Sequence, residues 1–480
     1  MKYNHALFIN PYNEDSATSA MRIFPPTGLE YVATSAKECA GKVTLLDLRY
    51  KNELSDTEKL LDFISREVDI VCVGISWDRQ LEAIFSLLNR FPAGIPLVIG
   101  GYTATEKVEE IFKNCQRADI IVRGEGEETI REILKGAPLD SIMGISYRAG
   151  GNVVHNKNRP LPAINTLAYP DRSLRHNEYR LFLNDVKIAN LSFDTVLSSR
   201  GCPFNCKFCT FTLNPLGQKR NYSARDPASV ADEIAGISAN VILFSDENFA
   251  VNPKWAEQIC DLIIARKIKK RFAAQVRIDI AKHPSLLGKM VKAGFKILLL
   301  GIESPHDWIL TQLDKGFDSD TIRKSLAALK KYPMFYHGYF IYGNIGETEE
   351  QMLYIPRFAR EIGVDSITCL KLRIEKFSPL RELAQRAPGY HITESGQLYS
   401  DTYSYADLKK IGRRIKFSFY TPARLLRILC KAIRIRFLGF GEIFLFLLAV
   451  PLVIENAIIR DIRKGRLRDS LTRIFISNKR

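Results

Sequence analysis

Cys202, Cys206 and Cys209 fall within the run SRGCPFNCKFCTF, and no other feature of this 480-residue chain limits its chemistry so tightly. Three thiolates at C-x3-C-x2-C spacing hold three irons of a 4Fe–4S cluster. They leave the fourth iron without a protein ligand, open to a small molecule that binds through nitrogen and oxygen. Zinc is the plain alternative, but structural zinc takes four ligands, and neither a His nor a fourth Cys stands near this loop. Gly201 before the first cysteine and Phe208 before the last fit a tight loop wrapped around a cluster. The total of nine cysteines is odd, and the others are scattered. That pattern is unlike the even framework of a secreted disulfide scaffold and predicts a reducing, cytoplasmic setting. The apolar stretch Ala6 to Ile9 is too short for a signal-peptide core, so no export is expected.

The first third alternates short apolar runs with amphipathic ones. Strands are predicted at Ala6 to Ile9, Val43 to Leu48, Ile70 to Ser76, Leu97 to Gly101 and Ile120 to Val122. Helices are predicted at Gly28 to Cys39, Thr57 to Glu67, Gln80 to Arg90 and Glu106 to Cys115. This implies an N-terminal doubly wound parallel sheet over residues 1–135, with ligands at the carboxyl ends of its strands. The loops to watch are Asn10 to Pro26, Ser76 to Arg79, Gly100 to Thr105 and Arg123 to Glu127. Residues 136–190 read as a linker with a hairpin-like Ile145 to Val154. From Thr195 six more strands follow, at Thr195 to Ser198, Val241 to Phe244, Phe272 to Val276, Ile297 to Leu300, Tyr339 to Tyr342 and Ser366 to Leu372. With helices between them they predict a partial (β/α)6 TIM-like barrel over residues 191–385, functional groups sitting at the C-terminal strand ends. Cys260 and Cys430, in apolar helical contexts, are expected to be inert core thiols, while Cys369 ends the last strand and has a chance of facing the site.

The formal net charge of +16 is unevenly placed: residues 421–480 carry 13 Lys and Arg against 4 Asp and Glu. These cations flank the apolar run Ile443 to Ile454, an arrangement suited to an anionic lipid surface and poorly suited to reading nucleic-acid bases. The run has 12 residues, against the roughly 20 that span a bilayer, so residues 386–480 are expected to form a helical, basic region. Its apolar segment either lies in a membrane interface or packs as a buried helix on the catalytic domain. No nucleic-acid partner is expected.

On these residues the chain resembles the radical S-adenosylmethionine superfamily, and within it the subgroup with an N-terminal cobalamin-binding domain, similar to the hopanoid methylases. Besides the cysteine loop the resemblance rests on FSDENF (Phe244 to Phe249), QVRID (Gln275 to Asp279), GIES (Gly301 to Ser304) and GNIGET (Gly343 to Thr348). In the first domain it rests on IFPPTGLEYVATSA (Ile23 to Ala36), IGGYTA (Ile99 to Ala104) and VRGEGEET (Val122 to Thr129). The resemblance implies Asp246 and Glu247 near the amino end of S-adenosylmethionine, Arg277 near its carboxylate or ribose, Glu303 at a strand end beside it, and Gly343 and Gly346 by the adenine. Each has an ordinary reading too: a helix cap for Asp246 and Glu247, an ion pair for Arg277 and Glu303, turn geometry for the glycines. Gly100, Gly101 and Gly124 would admit a corrin close to the backbone. The D-x-H-x-x-G pattern that gives cobalt a His in many cobalamin proteins is missing, and His5 is the domain's single His.

The resemblance further implies three cofactors: a 4Fe–4S cluster, S-adenosylmethionine and cobalamin. The expected reaction is methylation of an unactivated carbon, with a hopanoid or other isoprenoid lipid as first substrate and no catalytic side chain nominated. Electrons would come from a donor such as flavodoxin or ferredoxin, and the protein would sit in the cytoplasm or peripherally on the inner face of the cell membrane. A second enzyme reading is an oxidative cyclase or rearrangement enzyme acting on a tetrapyrrole. A reading from another class is a cobalamin or iron–sulfur sensor without turnover.

Overall fold

The computed structural model of the chain describes residues 2–12, 23–50, 52–183, 186–210, 213–439, 441–445 and 448. The first five apolar runs become β1 (Tyr3–Asn10), β2 (Ala40–Asp47), β3 (Ile70–Gly74), β4 (Leu97–Gly100) and β5 (Ile120–Val122), all parallel. The hairpin β6 (Ile145–Ala149) and β7 (Asn152–His155) continues the sheet antiparallel, giving the order β2-β1-β3-β4-β5-β6-β7. Helices α1 (Thr27–Ala36), α2 (Thr57–Glu67), α3 (Leu81–Leu88), α4 (Tyr102–Glu106), α5 (Val108–Asn114) and α6 (Glu127–Lys135) connect the strands. Ala33 and Ala36 of α1 with Ile130 and Ile133 of α6 fill one face. Leu60, Ile64, Ile84, Phe85 and Ile111 of α2, α3 and α5 fill the other. A parallel sheet covered on both faces needs apolar side chains in both directions, which is why its strands read as unbroken runs. The order reverses between β1 and β3, and the switch point opens a crevice at the strand ends.

Helix α6 begins inside the stretch expected to be a loop at Arg123 to Glu127. Its glycine-rich entry hides it from propensity, but Glu127 and Glu128 sit favourably in its first turn and Gly136 ends it in the left-handed conformation. The 136–190 stretch, expected as a linker, holds β6 and β7 of the first sheet and the first strand of the second.

That second sheet comprises β8 (Arg180–Leu183), β9 (Val186–Val196), β12 (Val241–Phe244), β13 (Arg271–Val276), β14 (Phe295–Glu303), β15 (Phe335–Tyr342) and β16 (Ser366–Lys371), while β10 (Ser199–Arg200) and β11 (Ser223–Ala224) form a separate small pair. Strands β9 and β12 to β16 run parallel in chain order, with β8 antiparallel at the edge. This is a half-barrel. Its helices are α7 (Pro227–Gly236), α8 (Pro253–Ala265), α9 (Pro284–Ala293), α10 (Asp307–Gln312), α11 (Ser319–Leu329) and α12 (Glu349–Ile362). Asp226, Asn252 and Thr348 cap α7, α8 and α12 with side-chain oxygens, and proline opens α7, α8 and α9 where a missing N–H is harmless. Behind the sheet Phe244, Phe249, Phe272 and Phe295 form the aromatic centre of the largest core.

The chain then adds α13 (Leu380–Arg386), the small pair β17 (Tyr390–Ile392) and β18 (Leu398–Ser400), α14 (Tyr405–Phe419) and α15 (Pro422–Arg434). Helix α14 buries Leu408, Ile411, Ile415 and Phe419, whereas α15 buries none of its residues. Of the apolar segment Ile443 to Ile454, most lies outside the described residues. Within them Phe444, Leu445 and Leu448 are exposed, and no described helix is long and apolar enough to cross a membrane.

Candidate active site

The cysteine loop leaves the carboxyl end of β9 through β10 and returns through β11, so a two-stranded clasp closes its base. Gly201, at the start, has φ +87°, and a Cβ there would stand 2.5 Å from the Asn221 carbonyl oxygen, so no other residue fits. Cys206 is buried, and Cys202 and Cys209 are half-buried. Among the described residues no three His, Cys, Asp or Glu side chains gather on one point that could hold a single metal ion. A lone zinc is therefore a poor fit, whereas a cubic cluster takes its thiolates at separate corners.

Asp246, at the end of β12, is fully buried and accepts hydrogen bonds from Ser198 (Oγ, 2.8 Å) and Ser199. Burial pushes its carboxyl up to about 6 against the pull of those hydroxyls. It anchors the strand that launches the loop and caps no helix, the following helix α8 being capped by Asn252. Glu247 accepts from the Gly201 amide at 3.1 Å, and burial pushes it up to about 7. Arg277, beyond β13, lies over the loop. Its guanidinium sits 3.7 Å from the Phe204 ring centre, Nη1 is 3.6 Å from Cys206 Sγ, and Nη2 donates to the Lys315 carbonyl at 2.6 Å.

Glu303 closes the far side. Its φ of +69° is unusual for a residue with a side chain, and the β14–β15 register slips at Gly301/Glu303. Such local strain persists where the surroundings over-determine it and clusters at functional sites. Lys315 Nζ meets Glu303 Oε1 at 2.8 Å, with both side chains under one-tenth exposed. A Cβ at position 301 would intrude on that pair, 2.7 Å from Glu303 Oε1. Lys315 Nζ also stands 5.5 Å from the Phe208 ring centre, so Arg277, Lys315 and Glu303 share one wall around the cysteine loop. Gly343 and Gly346 form the turn after β15, both with positive φ, and the Gly346 amide donates to the Tyr390 hydroxyl at 2.6 Å. Inside that turn Glu347 Oε2 accepts from the Asn344 amide at 2.9 Å, while Glu347 Oε1 and Asn344 Oδ1 are buried without a partner. Orphaned acceptors of this kind suit a bound group that carries donors. Cys369, half-buried, packs on the helix-side core rather than toward the cysteine loop, and Cys430 is exposed on α15 rather than in a core.

A cavity of about 410 Å³ opens at the switch point of the first sheet, between Phe8 of β1, Val73 of β3, Val98 of β4 and Val122 of β5. Gly28, Gly74, Gly100, Gly101, Gly124 and Gly126 line it together with apolar side chains such as Leu29, Val32 and Ile130. A Cβ at Gly101 would lie 2.5 Å from the Ile75 carbonyl oxygen, whereas one at Gly28 would meet nothing within 4 Å. The size is in the range of organic-cofactor pockets, and a mostly apolar wall interrupted by glycines suits a flat macrocycle or its nucleotide tail. His5 is elsewhere, bonded to Thr44 and the Glu67 carbonyl at 2.8 Å each.

Arg200 joins the two regions. It lines the cavity, donates to Glu125 at 2.7 Å and Glu127 at 2.6 Å, and stands two residues before Cys202. Thr27 of α1 meets Thr195 of β9 at 2.6 Å. Arg175 binds both Glu30 of α1 and Asp194 of β9, Nη2 to Glu30 Oε2 and Nη1 to Asp194 Oδ2 at 2.7 Å each. Arg200 was visible in the SRGC run, but nothing local to a sequence names the carboxylates it meets. Lys315 and Arg175 carry no local signal.

A switch-point cavity in a doubly wound domain, set against a three-thiol loop in a half-barrel, defines a cobalamin-binding radical enzyme. The pattern of the B12-binding domain matches residues 17–134 and that of the Radical SAM superfamily residues 196–359. The chain belongs to the radical S-adenosylmethionine superfamily of enzymes, in the group with a B12-binding domain, and its cofactors are a 4Fe–4S cluster, S-adenosylmethionine and cobalamin. It is 28% identical to an uncharacterised methyltransferase of Pyrococcus horikoshii, over 71% of this chain and 74% of that one. It is 26% identical to the anaerobic magnesium-protoporphyrin IX monomethyl ester cyclase of Synechocystis, over 64% of this chain and 62% of the cyclase. With the hopanoid C-3 methylase of Methylococcus capsulatus it shares 22% identity over 58% of this chain and 53% of the methylase. The fold matches that of the radical S-adenosylmethionine methyltransferase TsrM from Kitasatospora setae at a TM-score of 0.67 and 14% identity, covering 88% of this chain and 89% of TsrM.

Proposed function

We propose that this protein is a cobalamin-dependent radical methylase that places a methyl group on an unactivated carbon, with a hopanoid or related isoprenoid lipid as substrate. The observation that carries methyl transfer is the cavity and the cysteine loop sharing Arg200 in their walls. The lipid assignment is supported by the similarity to the hopanoid methylase and by the basic, apolar C-terminal region. Cys202, Cys206 and Cys209 hold the cluster. Arg277 places its guanidinium between the Phe204 ring and the buried Cys206. The Gly343 to Glu347 turn receives the adenine, with Asn344 Oδ1 and Glu347 Oε1 as its acceptors. The Glu303–Lys315 pair and Glu247 face the remainder of S-adenosylmethionine. Gly100, Gly101 and Gly124 would admit cobalamin. The bound cofactors supply the one-electron cleavage and the methyl carrier, and the protein supplies positioning and a dry site. A small one-electron donor such as flavodoxin or ferredoxin reduces the cluster, and the enzyme works peripherally on the cytoplasmic membrane face.

Anaerobic reconstitution with iron, sulfide and hydroxocobalamin, followed by S-adenosylmethionine and reductant, tests this. Both 5′-deoxyadenosine and S-adenosylhomocysteine are expected, and both are lost in Cys206→Ala. The cyclase similarity favours a second reading, oxidative ring closure on a tetrapyrrole. It predicts 5′-deoxyadenosine alone, with a product lighter by hydrogen or heavier by oxygen instead of heavier by one methylene.

A further inference from the structure

Helix α15 is an amphipathic helix with its polar side turned inward. Arg424 donates through Nη2 to the Val364 carbonyl, and Lys431 Nζ bonds Asp365 Oδ2 at 2.6 Å, so the face carrying these two cations is the one held against the half-barrel. At about 100° per residue, Leu425, Leu426, Leu429 and Ile433 fall on the opposite side. Leu425 is 52% and Leu426 62% exposed, and no residue of the helix is buried. Phe417, near the end of α14, adds a 73% exposed ring. A helix whose apolar side served its own core would be mounted the other way round.

We infer that α15 docks this protein onto an anionic lipid bilayer, laying its leucine face into the interface while Arg427 and Arg434 on the flank meet headgroups. Charge selects this occupant. A second copy apposed on the same face would bring Arg427 and Arg434 against their own counterparts, whereas anionic headgroups complement them. Phe444, Leu445 and Leu448, beyond α15 in the chain, are exposed as well, and the last 60 residues carry 13 cations against 4 anions. A helix of this kind lies roughly 5–10 Å into the headgroup boundary without crossing. The inference is independent of which substrate is methylated, since it needs no turnover.

The full chain is sedimented with vesicles of equal parts phosphatidylglycerol and phosphatidylcholine, and with phosphatidylcholine alone. Binding is expected to the anionic vesicles and to fall at high salt. Leu425→Ser and Leu426→Ser are each expected to weaken partitioning about tenfold. Arg427→Glu with Arg434→Glu should remove the preference for anionic lipid. Formation of 5′-deoxyadenosine in solution serves as the folding control, and it should be unchanged in all four substitutions. Equal binding of wild type and the leucine variants would overturn the assignment. So would a vesicle-independent dimer by light scattering that the leucine variants convert to monomer, because a second copy would then cover the face.

Discussion

Glu347 is an acid whose surroundings oppose its charge. Burial raises it from an ordinary 4.5 to about 7, more than the Asn344 amide lowers it. A raised folded value means that the native state binds the extra proton between those limits, so stability falls as pH rises from about 4.5 through 7. Glu347→Gln should flatten that part of the melting-temperature profile. An unchanged slope would show that Glu347 is charged in the fold. The glycines of the cavity offer a second contrast. Gly101→Ala forces a Cβ against the Ile75 carbonyl at φ +108°, and is expected to destabilise by more than about 1 kcal/mol in thermal melts. Gly28→Ala should leave melting unchanged yet reduce cobalamin retained through gel filtration, because its methyl group projects where nothing else stands. At this scale the three cysteines were legible because their chemistry lies in local spacing. Asp246 was not, since its role depends on Ser198 and Ser199 reaching it from 47 and 48 residues away. An ion pair is the ordinary reading of Glu303 in the run GIES, and Lys315 supplies it, but neither that partner's identity nor the strained Glu303 backbone leaves a mark there.

Among elements, β9 and α1 are tied by one arginine, Arg175, whose side chain is 10% exposed. Asp194 is pushed up by burial, but Arg175 and Arg172 outweigh that and hold it below the usual carboxylate range. Its contribution is thus complete above about pH 4 and lost as pH falls through the lowered value. Arg175→Ala leaves Glu30 buried without its ion-pair partner and Asp194 with Arg172 alone, a loss on the order of 3–5 kcal/mol that should lower the thermal midpoint at neutral pH. The deficit should shrink in acid, where Asp194 is neutral in both proteins. Elements were read well where periodicity is strong: Thr57–Glu67 and Val241–Phe244 match their expected ends. They were missed where it is weak, as in α6, whose entry is Arg-Gly-Glu-Gly, and in β8, whose place is fixed by its partner β9. Helix α15 shows the other limit. Its pattern declares an apolar side but not whether that side faces in or out.

Across the whole molecule, the two sheets meet through Thr27–Thr195, Arg175 and the Arg200 clasp on Glu125 and Glu127. Arg200→Ala removes the cation from the nearly buried Glu127 and should reduce cobalamin content while the purified protein still binds iron and sulfide. Equal cobalamin in variant and wild type would show that the clasp serves folding alone. Two α/β halves in this order were legible from alternating apolar runs. Their mutual placement was not, because it rests on ion pairs between residues far apart in the chain, 145 positions for Arg175–Glu30 and 267 for Arg373–Glu106. Arg200 has a wider consequence. Because one backbone segment borders the switch-point cavity and begins the cysteine loop, the two compartments share a wall. Whatever free energy one occupant gains from the other's presence is returned in equal measure.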